Sequence, residues 1–380
     1  MLGDFYSDNF ERGRLEKDSM LVNLGPQHPS THGVLRILGE LSGEYVLRAE
    51  PVLGYLHRMH DKMGETKTPY QFLPNMGRVD YLHPIAWNWA YVGAAERLAG
   101  LQAPERAEHL RVIACELNRI ASHVMWWGAF VLDLGGVTPI LYAFEEREKI
   151  NDMLQIITGS RLTMNYFRFG GVGADVTPRF ARLVREFIPY MRERLKMYAK
   201  LVTGNVIFRR RLAGVGPIDA DLCYRYGATG PVLRGAGVPY DVRRAEPYGL
   251  YDRFQFDVPV GDSNCCLGRY QVRVREIEES LKIVEQALDG LPAGPIIIDK
   301  APKPNWKLPA GEAYFAVEGA RGKIGIHLLS AGGKNAYRVK LRAPGFSNLS
   351  LFAEAAEGTL LADALAILGS LDLVIPEVDR

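Results

Sequence analysis

The chain has 380 residues, 47% of them hydrophobic and 24% charged, enough to bury a large core as two or three units of roughly 150 residues or as one interlocked body. Its 46 Lys and Arg stand against 44 Asp and Glu, a formal net charge of +2, which points away from a nucleic-acid binder or an acidic tail. No apolar run reaches the roughly 18 residues of a membrane span, and the start lacks a signal peptide's apolar stretch, so a membrane is expected to be reached only through partners.

After a polar leader, Val34 to Leu41 and Tyr45 to Val52 read as strands joined at Ser42-Gly43. Pro84 to Leu98 has helical spacing, with Gly100 as its stop. Pro104 opens a longer helix whose stripe is Leu110, Ile113, Leu117, Ile120, Ala121 and Val124. Leu141 to Ile157 and Pro178 to Leu201 continue the pattern, each closed by a glycine, and together these segments predict a helical bundle. Dense glycine and proline from Arg211 to Asp262 predict loops. Tyr270 to Leu288 is a further helix. A proline-rich connector follows to Pro309, then strands at Ala313 to Val317, Ile324 to Leu329 and Tyr337 to Leu341, and a helix from Ala353 to Leu368. The expected divisions are a β-containing segment over 1–70, the bundle over 71–205, loops and a long helix over 206–290, and a meander with a helix over 291–380, all interlocked.

Four cysteines, Cys115, Cys223, Cys265 and Cys266, contain no C-x-x-C pair, so no iron–sulfur, zinc or thioredoxin-like motif is readable. So few thiols suit a reducing compartment. Chemistry concentrates in turns instead. Gly25-Pro26-Gln27-His28-Pro29-Ser30-Thr31-His32-Gly33 places two imidazoles on a constrained loop, and spacing alone favours histidines that cap backbone groups there. Gly54-Tyr55-Leu56-His57-Arg58 comes next, with His60 beyond it. The histidines at 57 and 60 read better as a solvated or hydrogen-bonded pair than as metal ligands. In Arg78-Val79-Asp80-Tyr81-Leu82 the tyrosine carries a polar handle that needs a partner if buried. Asp133, in Leu132-Asp133-Leu134-Gly135-Gly136, ends the long helix. It either caps the next helix or orients an imidazole.

These strings, with Ala121-Ser122-His123, Arg234-Gly235-Ala236-Gly237, Tyr240-Asp241-Val242-Arg243, Arg342-Ala343-Pro344-Gly345-Phe346 and the closing Glu377-Val378-Asp379-Arg380, occur in an order and spacing that resemble the large peripheral-arm, quinone-site subunit of respiratory complex I (NADH-quinone oxidoreductase). The resemblance covers Leu21 to Arg380. It implies an α+β fold of the nickel–iron-hydrogenase-large-subunit type, mainly a helical bundle core with N-terminal and C-terminal β structure. Hydrogenases hold their metal with two C-x-x-C pairs. Here His57-Arg58-Met59-His60 stands in the first place and Pro376-Glu377-Val378-Asp379-Arg380 near the second, so the soft ligands are missing. A hydrogenase is therefore the weaker alternative, and no metal ligands are assigned.

By the same resemblance, quinone is reduced to quinol between this chain and a neighbouring subunit that carries a [4Fe–4S] cluster. Tyr81 and His32 match the headgroup donors, and Asp133 matches the acid that pairs with the histidine. Arg58 and Arg78 match arginines that face the neighbour's cluster. Reduction takes two electrons and two protons, so donors belong where charge develops on the carbonyl oxygens. Loss of both protons beside Asp133 would be a trigger for proton pumping. The implied partners are the iron–sulfur small subunit, the peripheral-arm subunit that accompanies it, and a membrane-arm subunit at the quinone entrance. The chain itself would bind no NADH, flavin or cluster. It would sit peripherally on the cytoplasmic side of a bacterial or archaeal cell membrane.

Three departures stand out. Many relatives read H-R-G-x-E-K where this chain has Met59, His60 and Asp61. Thr163 or Met164 stands where they often carry histidine. The connector from Leu291 to Gly311 is shorter than in many relatives, as it is in versions fed by reduced deazaflavin or ferredoxin, so the donor stays open between NADH and these.

Overall fold

The computed structural model describes residues 19–28 and 33–380. Strands β1 (Met20–Leu24), β2 (Arg36–Ser42) and β3 (Tyr45–Val52) form an antiparallel sheet in that order. The β2–β3 hairpin turns where expected, and Gly43 supplies the left-handed φ of 59° that the turn requires. The sequence reading missed β1. Its Met-Leu-Val-Asn-Leu shows no alternation, and only pairing with β2, from Met20 opposite Leu41 to Leu24 opposite Ile37, makes it a strand.

Two short helices, α1 (His60–Thr66) and α2 (Pro69–Met76), lead into the bundle. Thr68 starts α2 with a capping box: its hydroxyl accepts from Gln71 N at 3.4 Å and the Gln71 side chain accepts from Thr68 N at 3.1 Å. Helix α3 (Pro84–Ala99) ends at Gly100, which is left-handed at φ 66°. Helix α4 (Glu105–Asp133) is entered from Pro104, which stands just outside it rather than within its first turn. The acidic residues Glu105 and Glu108 in its first turn complement the helix dipole. Next comes α5 (Thr138–Thr158), which begins three residues before the expected Leu141 because Pro139 fits a first helical turn.

A two-stranded ladder, β4 (Phe167–Arg168) with β5 (Gly171–Val172), precedes α6 (Pro178–Tyr198). Helix α6 runs into a π-helical turn over Ala199–Thr203, so the segment expected as one helix to Leu201 changes its winding near the end. The glycine-rich middle folds as loops carrying four short helices, α7 (Val206–Leu212), α8 (Ala220–Tyr226), α9 (Pro231–Gly235) and α10 (Val242–Ala245). Helix α11 (Cys266–Asp289) then packs along α4, which α5 also flanks. Helix α4 is buried on nearly every side between Ala107 and Val131, as a central helix must be.

The C-terminal meander is β6 (Ala310–Gly319), β7 (Gly322–Ala331) and β8 (Arg338–Arg342), antiparallel in sequence order. Strands β6 and β7 lie on α3. A Cβ at Gly93 of α3 would fall 2.4 Å from the Phe315 ring, so this close approach needs glycine. The expected single helix from Ala353 to Leu368 is corrected to separate pieces. After α12 (Pro344–Ser350), the chain forms α13 (Phe352–Ala356), α14 (Leu361–Leu371) and α15 (Ile375–Asp379). The break lies where Gly358 takes φ 72° and the backbone pairs with the N-terminal hairpin: Val46 N donates to Thr359 O at 2.8 Å and Gly358 N to Val46 O at 2.7 Å. Tertiary pairing here overrides helical spacing. One contiguous cluster of buried side chains runs from Leu35 to Val378. The result is an α+β fold, helical at its centre with small sheets toward each end of the chain.

Candidate functional site: turns gathered on the last helix

Helix α15 collects the turns that the sequence singles out. Gly54 N and Leu56 N donate to the two carboxylate oxygens of Asp379 at 3.0 and 2.7 Å, and His57 Nδ1 lies 2.8 Å from Asp379 O. The G-Y-L-H-R turn is thereby tied to the closing E-V-D-R. Arg58 projects from this turn, exposed. Met59 follows in a left-handed conformation at φ 54°, so the chain takes here, with a methionine, the step that glycine takes freely. His28 and Gly33 pair across the base of the first loop, and a Cβ at Gly33 would meet the Ile375 side chain at 3.3 Å. The base of that loop therefore rests against α15. His32 lies outside the described residues.

His60 corrects the reading of a solvated or hydrogen-bonded histidine pair. His57 is exposed and bonded to Asp379 O, but His60 is fully buried and neither ring nitrogen has a hydrogen-bond partner among the described residues. Burial, reinforced by Arg58, holds its pKa down to about 4 from the ordinary 6.5. The unfolded chain binds a proton below 6.5 that the folded chain refuses until about 4, so His60 costs stability progressively as pH falls through that window. The cost reaches on the order of 3 kcal/mol at its lower end. His60→Leu is expected to flatten the loss of thermal stability between neutral pH and pH of about 5. Melting curves in which the variant and the parent fall in parallel would refute this.

Tyr81 stands in the turn between α2 and α3, 37% exposed. The turn is fixed from within by Asp80, whose Oδ1 accepts from Leu82 N at 2.9 Å and His83 N at 3.1 Å. Asp80 Oδ2 accepts from Arg321 Nη1 at 2.8 Å. Burial first, and the Asp80 charge next, raise the Tyr81 phenol above its ordinary 10.0, so it remains an O–H donor at neutral pH. Arg78 is exposed just before it, its Nη1 donating to Pro74 O at 2.5 Å. Asp133 closes α4, half-buried. Gly369 of α14 passes beside it, where a Cβ would come 3.6 Å from Asp133 Oδ2. Helix α5 begins after Val137 without a side-chain cap, so Asp133 does not serve as that helix's cap.

The remaining motifs meet in buried ion pairs. Ser122 Oγ accepts from both terminal nitrogens of Arg321 at 3.2 Å, and His123 Nε2 lies 2.9 Å from Glu276 Oε2. Arg234 bonds Glu276 at 2.7 Å and Glu318 at 2.8 Å. Arg243 bonds Asp241 at 2.7 Å and Glu116 at 3.2 Å. Gly345 N donates to Glu377 Oε2 at 3.2 Å. Sequence reasoning missed Arg321, Glu116 and Glu276 as partners, because each of these pairs joins distant segments. A charged residue inside an otherwise apolar helical stripe, as Glu116 is, was the available signal.

Among the described residues no group of three or more His, Cys, Asp or Glu is arranged to hold a metal ion, and the four cysteines are buried as free thiols. No helix among them is long and apolar enough to cross a membrane. Fold and site thus describe a helix-rich α+β chain in which the Gly54–Arg58 turn is fastened to the C-terminal helix through Asp379 and the Tyr81 turn to Arg321 through buried Asp80. The family described as the 49 Kd subunit of respiratory-chain NADH dehydrogenase matches residues 133–380, and the chain belongs to it. It is 56% identical over 368 residues to the D-type subunit (number 2) of NADH-quinone oxidoreductase from Opitutus terrae, covering 97% of this chain and 92% of that one. The D-type subunit from Desulfotalea psychrophila is 54% identical over 363 residues, with 96% and 97% covered. That of Geobacillus thermodenitrificans is 47% identical over 365 residues, with 96% and 100% covered.

Proposed function

We propose that this chain is the quinone-site subunit of a proton-translocating NADH:quinone oxidoreductase and acts only within that assembly. The names of its relatives support NADH as the ultimate donor over deazaflavin or ferredoxin. The observation that carries the reading is the Tyr81 turn. A partly exposed phenol stands on a turn that a buried aspartate and arginine fix from within. Quinone is the substrate, and the electrons come from a [4Fe–4S] cluster on the adjacent small subunit. Tyr81 donates to one carbonyl of the headgroup. His32, kept cationic by Asp133, supplies the second proton, since a nearby carboxylate favours imidazolium. The chain meets the cluster-bearing subunit, the peripheral-arm subunit beside it and the membrane-arm subunit that admits quinone, peripherally on the cytoplasmic side of the membrane.

Arg58 and Arg78 face the neighbour's cluster, where positive charge stabilises the reduced state. Arg58→Met is expected to lower the midpoint potential of that cluster. A redox titration followed by EPR that superposes on the parent would remove Arg58 from this role. The central test is Tyr81→Phe in the assembled complex. Loss of quinone reduction with assembly intact supports the reading. Retained turnover would leave Tyr81 as part of a scaffold and overturn it.

A further inference from the structure

The end of the bundle next to Asp133 carries an apolar face that no other described residue covers. One wall is the turn from α4 to α5, with Leu134 and Val137. The other is the π-helical turn and the start of α7, with Leu201 and Ile207. Between them lies a groove of about 340 Å³. Val137 is 65% exposed and Ile207 74%, and Leu132, Leu201 and Val206 on the same elements are exposed as well. The sequence of α7 enforces this. It reads Val-Ile-Phe-Arg-Arg-Arg-Leu and buries Phe208 and Leu212, so rolling the helix to cover Ile207 would bring Phe208 into water. A contiguous apolar face on a soluble surface marks a place where something docks.

Both walls are fixed before any partner arrives. Gly135 N donates to Leu132 O at 2.9 Å and Gly136 N to Val131 O at 2.8 Å. A Cβ at Gly136 would fall 2.7 Å from the Val131 side chain, so the turn is packed tightly on α4. On the opposite wall Asn205 Oδ1 accepts from Ile207 N at 2.9 Å and Phe208 N at 3.3 Å. Thr203 Oγ1 lies 2.8 Å from Tyr270 Oη of α11. A groove already formed costs its occupant little ordering.

Charge states the chemistry of that occupant. Lys200, Arg209 and Arg210 stand on the π-turn and α7, exposed, and form no ion pair among the described residues. Arg211, in contrast, is bound to Asp363 at 2.8 Å. An apolar groove edged by three unpaired cations complements an apolar side chain flanked by carboxylates. The groove is concave and α7 has only seven residues, which suits a protein loop better than a flat bilayer surface. Position then selects the partner. The Tyr81 turn reaches α4 at Ser122 through Arg321, and Asp133 lies about 16 Å further along that helix. Arg78, assigned to the iron–sulfur neighbour, belongs to the Tyr81 turn, whereas the groove opens beyond Asp133.

We propose that this groove docks a loop of the membrane-arm subunit at the quinone entrance. The loop inserts an apolar side chain and sets carboxylates against Lys200, Arg209 and Arg210. The inference rests on the quinone reading, which supplies that partner.

The test places a photo-cross-linking benzoylphenylalanine at Ile207 in the native, membrane-bound complex and sequences the joined peptide by mass spectrometry. The expected product joins this chain to a membrane-arm loop with Asp or Glu beside the attached residue. In parallel, Arg209→Glu combined with Arg210→Glu should leave the peripheral arm assembled, with parental electron flow to an artificial acceptor. Its retention on salt-washed membranes should fall about 10-fold. Arg209→Lys combined with Arg210→Lys keeps both charges and should be retained as the parent is. A cross-link to the iron–sulfur subunit, to lipid or to residues 1–18 of this chain would overturn the proposal. So would a charge-reversed arm retained like the parent. The two readings fail separately. If Tyr81→Phe retains turnover, the headgroup assignment falls while a cross-link to the membrane arm still stands. If Tyr81→Phe abolishes turnover and the cross-link lies elsewhere, only the docking face falls.

Discussion

In the assembled complex, Tyr81→Phe is expected to lower quinone reduction by about 100-fold, in the range that a positioned proton donor contributes, while electron flow to an artificial acceptor upstream of quinone is unchanged. The substitution removes one oxygen and leaves the turn intact. The bonds that hold the turn run from Asp80 to Leu82 N, His83 N and Arg321, and none uses the phenol. The ring is 37% exposed, so the missing hydroxyl opens no buried cavity, and assembly should survive. The phenol, raised above 10.0, retains its proton at working pH until the headgroup oxygen becomes basic enough to take it. A factor of about 100 corresponds to roughly 2.7 kcal/mol of barrier, more than one ordinary neutral hydrogen bond contributes to stability. The measurement is quinone-reductase turnover set against the artificial-acceptor rate in the same preparation. Activity above half of the parent's would remove the phenol from the chemistry.

How much of this was legible beforehand depends on the range of the interactions. Helix α3 was readable nearly to the residue, because its proline start and Gly100 stop are local signals. The β2–β3 turn was readable for the same reason. Strand β1 and the break at Gly358 were not, since both exist through pairing with distant backbone: Leu24 with Ile37, and Thr359 with Val46. The motif turns could be picked out as dense polar clusters, but what fastens them could not. Asp379 reaches back to Gly54 and Leu56, and Arg321 to Asp80, across most of the chain. His60 shows the cost of reading spacing alone. Three residues from His57 in a polar stretch, it read as half of a solvated or hydrogen-bonded pair, yet the fold turns it inward at the start of α1.

The buried charges at the bundle centre should produce the largest stability effect. Glu116 is fully buried in α4 and accepts from Arg119 Nε at 3.0 Å, Arg243 Nη1 at 3.2 Å, Tyr251 Oη at 2.6 Å and Ser280 Oγ at 2.7 Å. Burial alone would raise its pKa, but Arg119 and Arg243 outweigh that and hold it down to about 2. The stability it contributes is therefore fully present above the ordinary 4.5 and lost as pH falls through about 2. Glu116→Ala strips Arg119 of its carboxylate partner, leaving it the Glu318 carbonyl, while Arg243 retains Asp241. An uncompensated buried guanidinium costs about 3–5 kcal/mol, a large part of the roughly 5–15 kcal/mol that stabilises a domain. The variant is expected to melt far below the parent or to be missing from the assembled complex at growth temperature. Replacing Glu116 and Arg119 together by leucine should recover much of the loss, because the penalty comes from the stranded charge rather than from the absent pair. Thermal melting of complexes carrying the single and double variants measures both effects. A single variant that melts with the parent, or a double variant no better than the single, would show that the network does not hold the bundle centre together.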